Sequence, residues 1–595
     1  MVRSMMSRLF HRLVTRVDHR AGWHRLPTPL GLVALVGIRN RLRARNLHDT
    51  GSPATPAPDP DPTQQSARTA DGTYNDLANP AMGSAGSRFG RNVPLDRTHP
   101  DRDRMLQPNP RTVSLELLTR EKFIPAPTLN VLAAAWLQFM IRDWFSHGKS
   151  PHENPWEVPL AGDDPWPDHP MRIMRTRPDS TRNPAEGADG LPPTSVNVET
   201  HWWDGSQLYG SDAETQAKVR LGEDGKLRVG EDGLVPVDPK SDKHPADEPG
   251  FWVGLAMLHS LFIREHNAIC DRLKAEYPAW SDDELFHRAR LINAALLAKI
   301  HTVEWTTAIL GHPALQIGMR ANWWGVLGER ISRLVGHIGD GEVLSGIVGS
   351  KANHFNVPYA LTEEFVAVYR MHPLMPDDYA FHSCGTSQLL RELQFPEISG
   401  RAALDLLGAV AMDDLYYSFG IAHPGAVVLH NFPRSLQFFE REDGVIQDLA
   451  ATDILRTREL GVPRYNEFRR LLHMKPVESF DALTDNPRWR EELRRVYDDD
   501  IELLDLMTGM YAEKLPEGFG FSDTAFRIFA LMASRRLNSD RFFTTDFNAE
   551  TYSKAGLDWI ADNDMSSVLR RHLPALGPAL KDVRNAFAPW TRVTA

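Results

Sequence analysis

Apolar residues return every three or four positions over long stretches of this chain, which is the repeat of a helix with one buried face. The pattern predicts helices over Leu132–Phe145, Trp252–Leu273, Asp283–Leu310, Glu363–Met371 and Phe526–Arg536. No run of alternating βαβ units and no internal repeat interrupts it. The chain therefore reads as mainly α, one large helical domain with few short strands, and 595 residues are ample to bury its core.

The first 50 residues follow a different pattern. Met6, Phe10, Leu13, Val14 and Val17 form an apolar stripe, and Arg8, Arg12, Arg16 and Arg20 recur beside it. Residues 1–45 hold ten arginines against one acid, Asp18. A second apolar stretch, Leu26–Ile38, is interrupted by Pro27 and Pro29 and is shorter than the roughly 20 residues a bilayer span needs. Arg39 follows where a cleavable signal would show small residues. Two readings stand: basic amphipathic helices lying on anionic lipid, or surface helices packed on the domain. Residues 51–68, rich in Pro, Asp and Ser, read as a linker, with the catalytic domain running from 69 to 595.

Composition changes the picture little. The net charge is −11, and the basic residues after position 50 are interspersed with acids, so no nucleic-acid partner is expected. Cys270 and Cys384 are the only cysteines, which excludes a disulfide scaffold. With no span and no cleavable signal, a cytoplasmic or peripheral membrane location is expected.

Two segments carry candidate chemistry. Thr200, Trp202, Asp204 and Ser206 offer oxygens at alternating positions of an extended loop, and Asp143 is the candidate further carboxylate; together they suit calcium, which takes roughly 6–8 oxygens. In Glu363–His372, Tyr369 and His372 stand three apart, on one helical face, before Pro373. A histidine there can be the axial ligand of a haem iron, with an oxidisable phenol one turn away.

At this point the chain resembles the peroxidase–cyclooxygenase superfamily of animal-type haem peroxidases. The carrying blocks are Gln138–Trp144 (distal helix), Thr200–Gly210 (calcium loop), Arg264–Asn267, Tyr369–Pro376 and Arg456–Arg469, in the family's order. The similarity runs from about Trp23 to about Trp590. Thr69–Asp76, Ala133–Ile141 and Ser534–Thr545 look like fatty-acid α-dioxygenases. The resemblance implies a haem-peroxidase-like fold, with His372 as proximal iron ligand and Tyr369 as the residue that becomes a tyrosyl radical. It implies Asp143, Thr200, Trp202, Asp204 and Ser206 as calcium ligands, and His301, Thr306 and Arg536 as the grip on a substrate carboxylate. Positions 301 and 306 lie about 140° apart on an ideal helix, so their convergence comes from the resemblance alone. The implied reaction uses a fatty acid and O2, giving a 2-hydroperoxy acid that decarboxylates to a shortened aldehyde.

Two departures stand out. Four residues after Gln138, where the resembled peroxidases carry a distal histidine, this chain has Arg142. An arginine stays protonated and cannot accept the peroxide proton, although it can stabilise developing negative charge. Three outcomes follow: Arg142 acts as an electrostatic stabiliser, another group such as His147 takes over, or catalysis is impaired. Around Phe251–Gly254 the acid and methionine that link haem covalently in myeloperoxidase-type enzymes are missing, so haem b is expected to be non-covalent. The rivals to a fatty-acid oxygenase are a haem peroxidase acting on small reductants and a haem- or lipid-binding protein with a silenced site.

Overall fold

The computed structural model describes residues 13–52, 66–182, 190–241, 243–335, 337, 341–440 and 444–593. Helices dominate. Those that matter for the site are α1 (Thr28–Arg45), α2 (Val131–Trp144), α3 (Val253–Glu276), α4 (Asp282–Lys299), α5 (Pro313–Trp324), α6 (Glu363–Val368), α7 (Leu449–Glu459) and α8 (Asp523–Ser539). Strands among the described residues form three two-stranded antiparallel ribbons. β1 (Trp156–Val158) pairs with β2 (Met171–Ile173), β3 (Asp378–His382) with β4 (Leu389–Gln394), and β5 (Phe439–Glu440) with β6 (Ile446–Gln447).

Local chemistry starts these helices where the pattern places them. Asn130 caps α2 by accepting from the Ala133 amide at 3.3 Å, Thr362 caps α6 and Ser522 caps α8. Ser281 and Glu284 form a reciprocal capping box on α4, with Asp282, Asp283 and Glu284 at its positive end. α2, α3 and α4 pack side by side, so most residues of α2 and the middle of α3 are buried.

Two expected helices end differently. The 283–310 run is not one α-helix: α4 stops at Lys299, and Ile300–Trp305 continues as a π-helical segment before Thr306–Ile309. The helix expected to reach Met371 ends at Val368. Tyr369 and Met371 have left helical geometry, and His372 opens a short 3-10 turn. Pro373 keeps the helix from running on, since it has no N–H to give to the Tyr369 carbonyl and its ring would crowd that oxygen.

The described part of the N-terminal segment packs on the body. Val14, Trp23, Ala34, Ile38 and Leu42 belong to the main core. Trp23 stacks on Phe526 of α8 at 5.4 Å and donates to Asp523 at 3.0 Å, while Asp18 pairs with Arg527 at 3.0 Å. Pro29 sits in the first turn of α1, where a missing N–H costs nothing, so it starts the helix. Met6, Phe10, Arg8 and Arg12 of the expected stripe, and most of the expected linker, lie outside the described residues.

The Arg264–Asn267 block serves as stitching. Buried Glu265 accepts from Arg571 and pairs with His572 at 2.7 Å, His266 bonds Tyr209 and the Gly225 carbonyl, and Asn267 ties down Leu227. In the Arg456–Arg469 block, Arg458 pairs with Asp505 at 2.6 Å and donates to the carbonyls of Met105 and Pro108.

The Trp23 anchor is testable. Trp23→Ala should destabilise the protein by about 3–5 kcal/mol, read as a lower thermal midpoint. Leu13→Ala, on the exposed side of the same segment, should stay within about 0.5 kcal/mol of wild type.

Candidate active site

Trp144, the last residue of α2, is the hub. Its ring lies edge-on to His301 at 5.1 Å and to Tyr369 at 5.2 Å, and the Arg536 guanidinium covers its face at 4.3 Å. Trp203, in the loop after Thr200, covers Arg536 at 4.5 Å and meets His301 at 5.4 Å. Tyr369, His301 and Arg536, expected to act together, are therefore gathered around two tryptophans. Neither tryptophan was singled out from the sequence as a site residue. The signal was their position beside Asp143 and Asp204.

Arg536 is 2% exposed, and its Nε and Nη2 find no hydrogen-bond partner. Among the described residues no carboxylate pairs with it. Tryptophan faces attract a cation by roughly 0.5–2 kcal/mol, which does not replace the lost water. A buried guanidinium with two free N–H groups is a site for an oxyanion.

His301 accepts from the Trp136 indole at Nδ1, 3.2 Å away, and stacks on Trp305 at 4.7 Å. Burial holds its pKa well below the usual value, and the charge of Arg536 adds to this. A neutral imidazole whose Nδ1 is an acceptor carries its proton on Nε2, and so offers a second donor. Thr306 is buried, but its hydroxyl donates to the His301 carbonyl at 2.8 Å, and its amide bonds the same oxygen. That i→i+5 closure stacks 306 over 301, which removes the angular mismatch of an ideal helix.

Tyr369 is buried against Phe365 at 4.5 Å and Phe529 at 5.6 Å. Its hydroxyl meets no hydrogen-bond partner among the described residues, and burial raises its pKa far above the ordinary tyrosine value, so it stays a phenol. His372 points elsewhere, towards Phe432 (5.4 Å) and Asp453. Its Nδ1 lies 3.0 Å from Asp453 Oδ2, too poorly aligned for a hydrogen bond, while Arg370 takes the other oxygen of that carboxylate. The imidazole is 32% exposed, yet densely surrounded; that burial, with the charge of Arg370, lowers its pKa to about 4. The side chain that faces Asp453 and Phe432 is thus an unprotonated imidazole. This donor, with no other ligand bound to it, fits a haem iron.

Three of the calcium candidates, Asp143, Asp204 and Ser206, are brought together. Asp143 Oδ1 accepts from the Ser206 amide at 2.6 Å, and the Ser206 hydroxyl donates to the Asp143 carbonyl at 3.0 Å. Asp204 is held by Arg290 at 3.1 Å. Gly205, between them, has a φ of 79°, and a Cβ there would stand 2.8 Å from the Tyr209 ring, so glycine is required. Asp143 Oδ2 and Thr200 Oγ1 are buried without partners. Burial, and then the charge of Asp204, push the Asp143 carboxyl up to about 7. Trp202 stacks on Tyr359 at 4.6 Å and donates to the Gly72 carbonyl. Among the described residues no cluster of three or more His, Cys, Asp or Glu forms. A cation here must be held by two carboxylates plus neutral oxygens, a set suited to a hard ion.

Arg142 is ion-paired: Nη2 reaches Asp238 at 2.7 and 3.0 Å. Asp238 is buried, and that burial raises its pKa despite the arginine. Gln138, one turn earlier, accepts from the Trp252 indole at 2.7 Å. His147 pairs with Glu363 at 3.0 Å and stacks on Phe89, so it is already engaged away from Arg142.

The profile described as Animal haem peroxidase matches residues 67–584. The chain belongs to the animal haem peroxidase family, a family of oxidoreductases, and within it to the α-dioxygenases. It is 39% identical to α-dioxygenase 1 of Capsicum annuum, covering 99% of this chain and 92% of that one. It is 40% identical to α-dioxygenase 2 of Arabidopsis thaliana, covering 97% and 92%. The crystal structure of the Oryza sativa fatty acid α-dioxygenase superposes with a TM-score of 0.89 at 35% identity, over 98% of this chain and 97% of that one. A tyrosine-to-phenylalanine variant of the rice enzyme, solved with palmitic acid, superposes with the same score at 36% identity.

Arg536→Met should remove a buried cation while preserving side-chain volume. In anion-free buffer it should leave the thermal midpoint unchanged or raise it, by about 1–4 kcal/mol equivalent, and it should abolish the stabilisation that an added fatty acid gives the wild type.

Proposed function

We propose that the protein is a haem-dependent fatty-acid α-dioxygenase, converting a fatty acid and O2 into a 2-hydroperoxy acid. The observation that carries this is the unpaired, buried Arg536 beside Tyr369, around a shared tryptophan. A plain peroxidase of small reductants has no use for a buried oxyanion grip.

His372 holds non-covalent haem b, which supplies, when bound, the oxidising power that turns Tyr369 into a phenoxyl radical. Arg536 binds the substrate carboxylate through Nε and Nη2, and His301 donates from Nε2. Thr306 contributes by fixing the backbone at His301, its hydroxyl being already committed. With the carboxylate so held, C2 lies within reach of the Tyr369 oxygen, which takes one hydrogen atom. O2 adds to the C2 radical, and the peroxyl regains a hydrogen from Tyr369, restoring the radical. The product can lose CO2 to give the aldehyde one carbon shorter. Arg142 serves as an electrostatic stabiliser, and Asp238 keeps its charge compensated. Asp143, Thr200, Trp202, Asp204 and Ser206 would hold calcium, and through it they would tie the end of α2 to the loop that carries Trp203. The unit from 69 to 595 is the catalytic domain.

The test is incubation of haem-loaded protein with palmitate and oxygen, with products read by mass spectrometry. Wild type should give the 2-hydroperoxide and the shortened aldehyde, and Tyr369→Phe should give neither while keeping its haem spectrum. Equal product from Tyr369→Phe ends the radical mechanism. Arg142→His should shorten the lag before steady oxygen uptake, by about tenfold or more.

Calcium makes a separate prediction. The metal-free fold holds a proton on Asp143 that the unfolded chain releases near pH 4. Stability of chelated protein should therefore fall as pH rises from about 4 to about 7. With calcium bound the carboxylate is already ionised, so melting curves with added calcium should lose that slope.

A further inference from the structure

A cavity of about 300 Å³ opens between α1, α5, Val326 and Glu342–Val343, away from the tryptophan hub. Its inner wall is apolar, formed by Leu32, Val36, Met319 and Phe526 among others. Its rim is apolar too, and open to solvent. Val33, Val326 and Val343 line it while remaining 41–51% exposed. Just outside, Ile317, Leu327 and Leu344 are 41–52% exposed. Single exposed apolar residues are ordinary, but six gathered at one cavity mouth mark a surface that meets an apolar phase.

The charges around it point to one occupant. Arg320, one helical turn from Ile317, and Arg330, beside Ile331, are exposed and pair with no carboxylate among the described residues. Among the described residues the acids nearby are neutralised, Glu342 by Arg39 and Arg43, and Glu329 by Arg333. This face is thus basic on a chain whose net charge is −11. A second copy of the chain, docked by a two-fold contact, would set each of these arginines against a like-charged patch. No helix of the described residues is long and apolar enough to cross a membrane, so any contact is made by a surface.

We propose that the α1–α5 face, with Val326, Leu327, Val343 and Leu344, docks on a lipid bilayer containing anionic headgroups. The valine and leucine rim enters the acyl boundary while Arg320 and Arg330 sit at headgroup level. This rests on the fatty-acid reading above and adds where the substrate is met. The same helix α8 that puts Phe526 in the cavity wall sets Phe529 against Tyr369 and presents Arg536 to the clamp. The face differs from the arginine stripe of the first helix, since it is built mainly from residues after position 310.

The experiment is co-sedimentation of the haem-loaded full chain with phosphatidylcholine vesicles, with and without phosphatidylglycerol. Wild type should sediment with the anionic vesicles and far less with the neutral ones, and added salt should release it. Leu327→Asp with Leu344→Asp should weaken binding by at least about tenfold, and Arg320→Gln with Arg330→Gln by about thirtyfold on anionic vesicles only. Both pairs lie outside the catalytic cluster, so turnover of palmitate dispersed without vesicles should be unchanged. Wild type that oxidises palmitate but stays in the supernatant with both vesicle types overturns the proposal. So do variants that sediment like wild type, or a dimer in analytical ultracentrifugation that the leucine variants dissociate. Vesicle binding without palmitate oxidation would remove the fatty-acid reading and leave the docking surface standing.

Discussion

A guanidinium kept inside the protein without a carboxylate is the constraint around which this site is built. Arg536 has given up water and received two indole faces in return. Aromatic faces offer an attraction of order 1 kcal/mol, against a desolvation penalty of several kcal/mol for a buried ion. The imbalance persists because α8 is fixed by its surroundings: Trp23 and Asp18 hold its start, and Tyr359 and the main chain hold Arg535. A site that stores an unmet demand for an anion selects ligands by charge before shape. It then leaves the rest of a long substrate to non-directional apolar contact.

The last turn of α2 shows how one short segment serves three purposes. Successive helical residues point about 100° apart, so Arg142, Asp143 and Trp144 face three directions. One meets Asp238, one meets the 200–206 loop, and one meets Tyr369 and Arg536. The loop repeats the device with the two-residue alternation of extended chain: Trp202 turns towards Tyr359 and Trp203 towards Arg536. The oxygens of the candidate cation site and the tryptophans that cover Arg536 are thus neighbours along the chain in both elements. Whatever tightens the loop onto α2 also brings the two indole rings together.

Much of this was legible in the sequence. Helical periodicity located α2, α3, α4 and α8, and the capping residues explain their starts. The resemblance brought Tyr369, His301 and Arg536 to one site, and Asp143 and Ser206 to another. What escaped was geometry that periodicity cannot express. A π-helical turn at Ile300–Trp305 stacks Thr306 over His301, whereas an ideal helix would part them. Pro373 ends α6 early, so Tyr369 and His372 share a turn and not a helical face. The packing of Trp23 into α8 joins residues 500 apart in the chain, and no local pattern announces such a contact.

Arg142 shows the same limit most clearly. Read from the sequence, an arginine in place of a histidine removes a base and leaves three outcomes open, from electrostatic stabiliser to impaired catalysis. The partner that makes it tolerable is Asp238, 96 residues away and 1% exposed. A buried aspartate without a cation would be as costly as a buried arginine without an anion, so each residue accounts for the presence of the other. Their pairing keeps a fixed positive end near Gln138 without adding net charge to the interior.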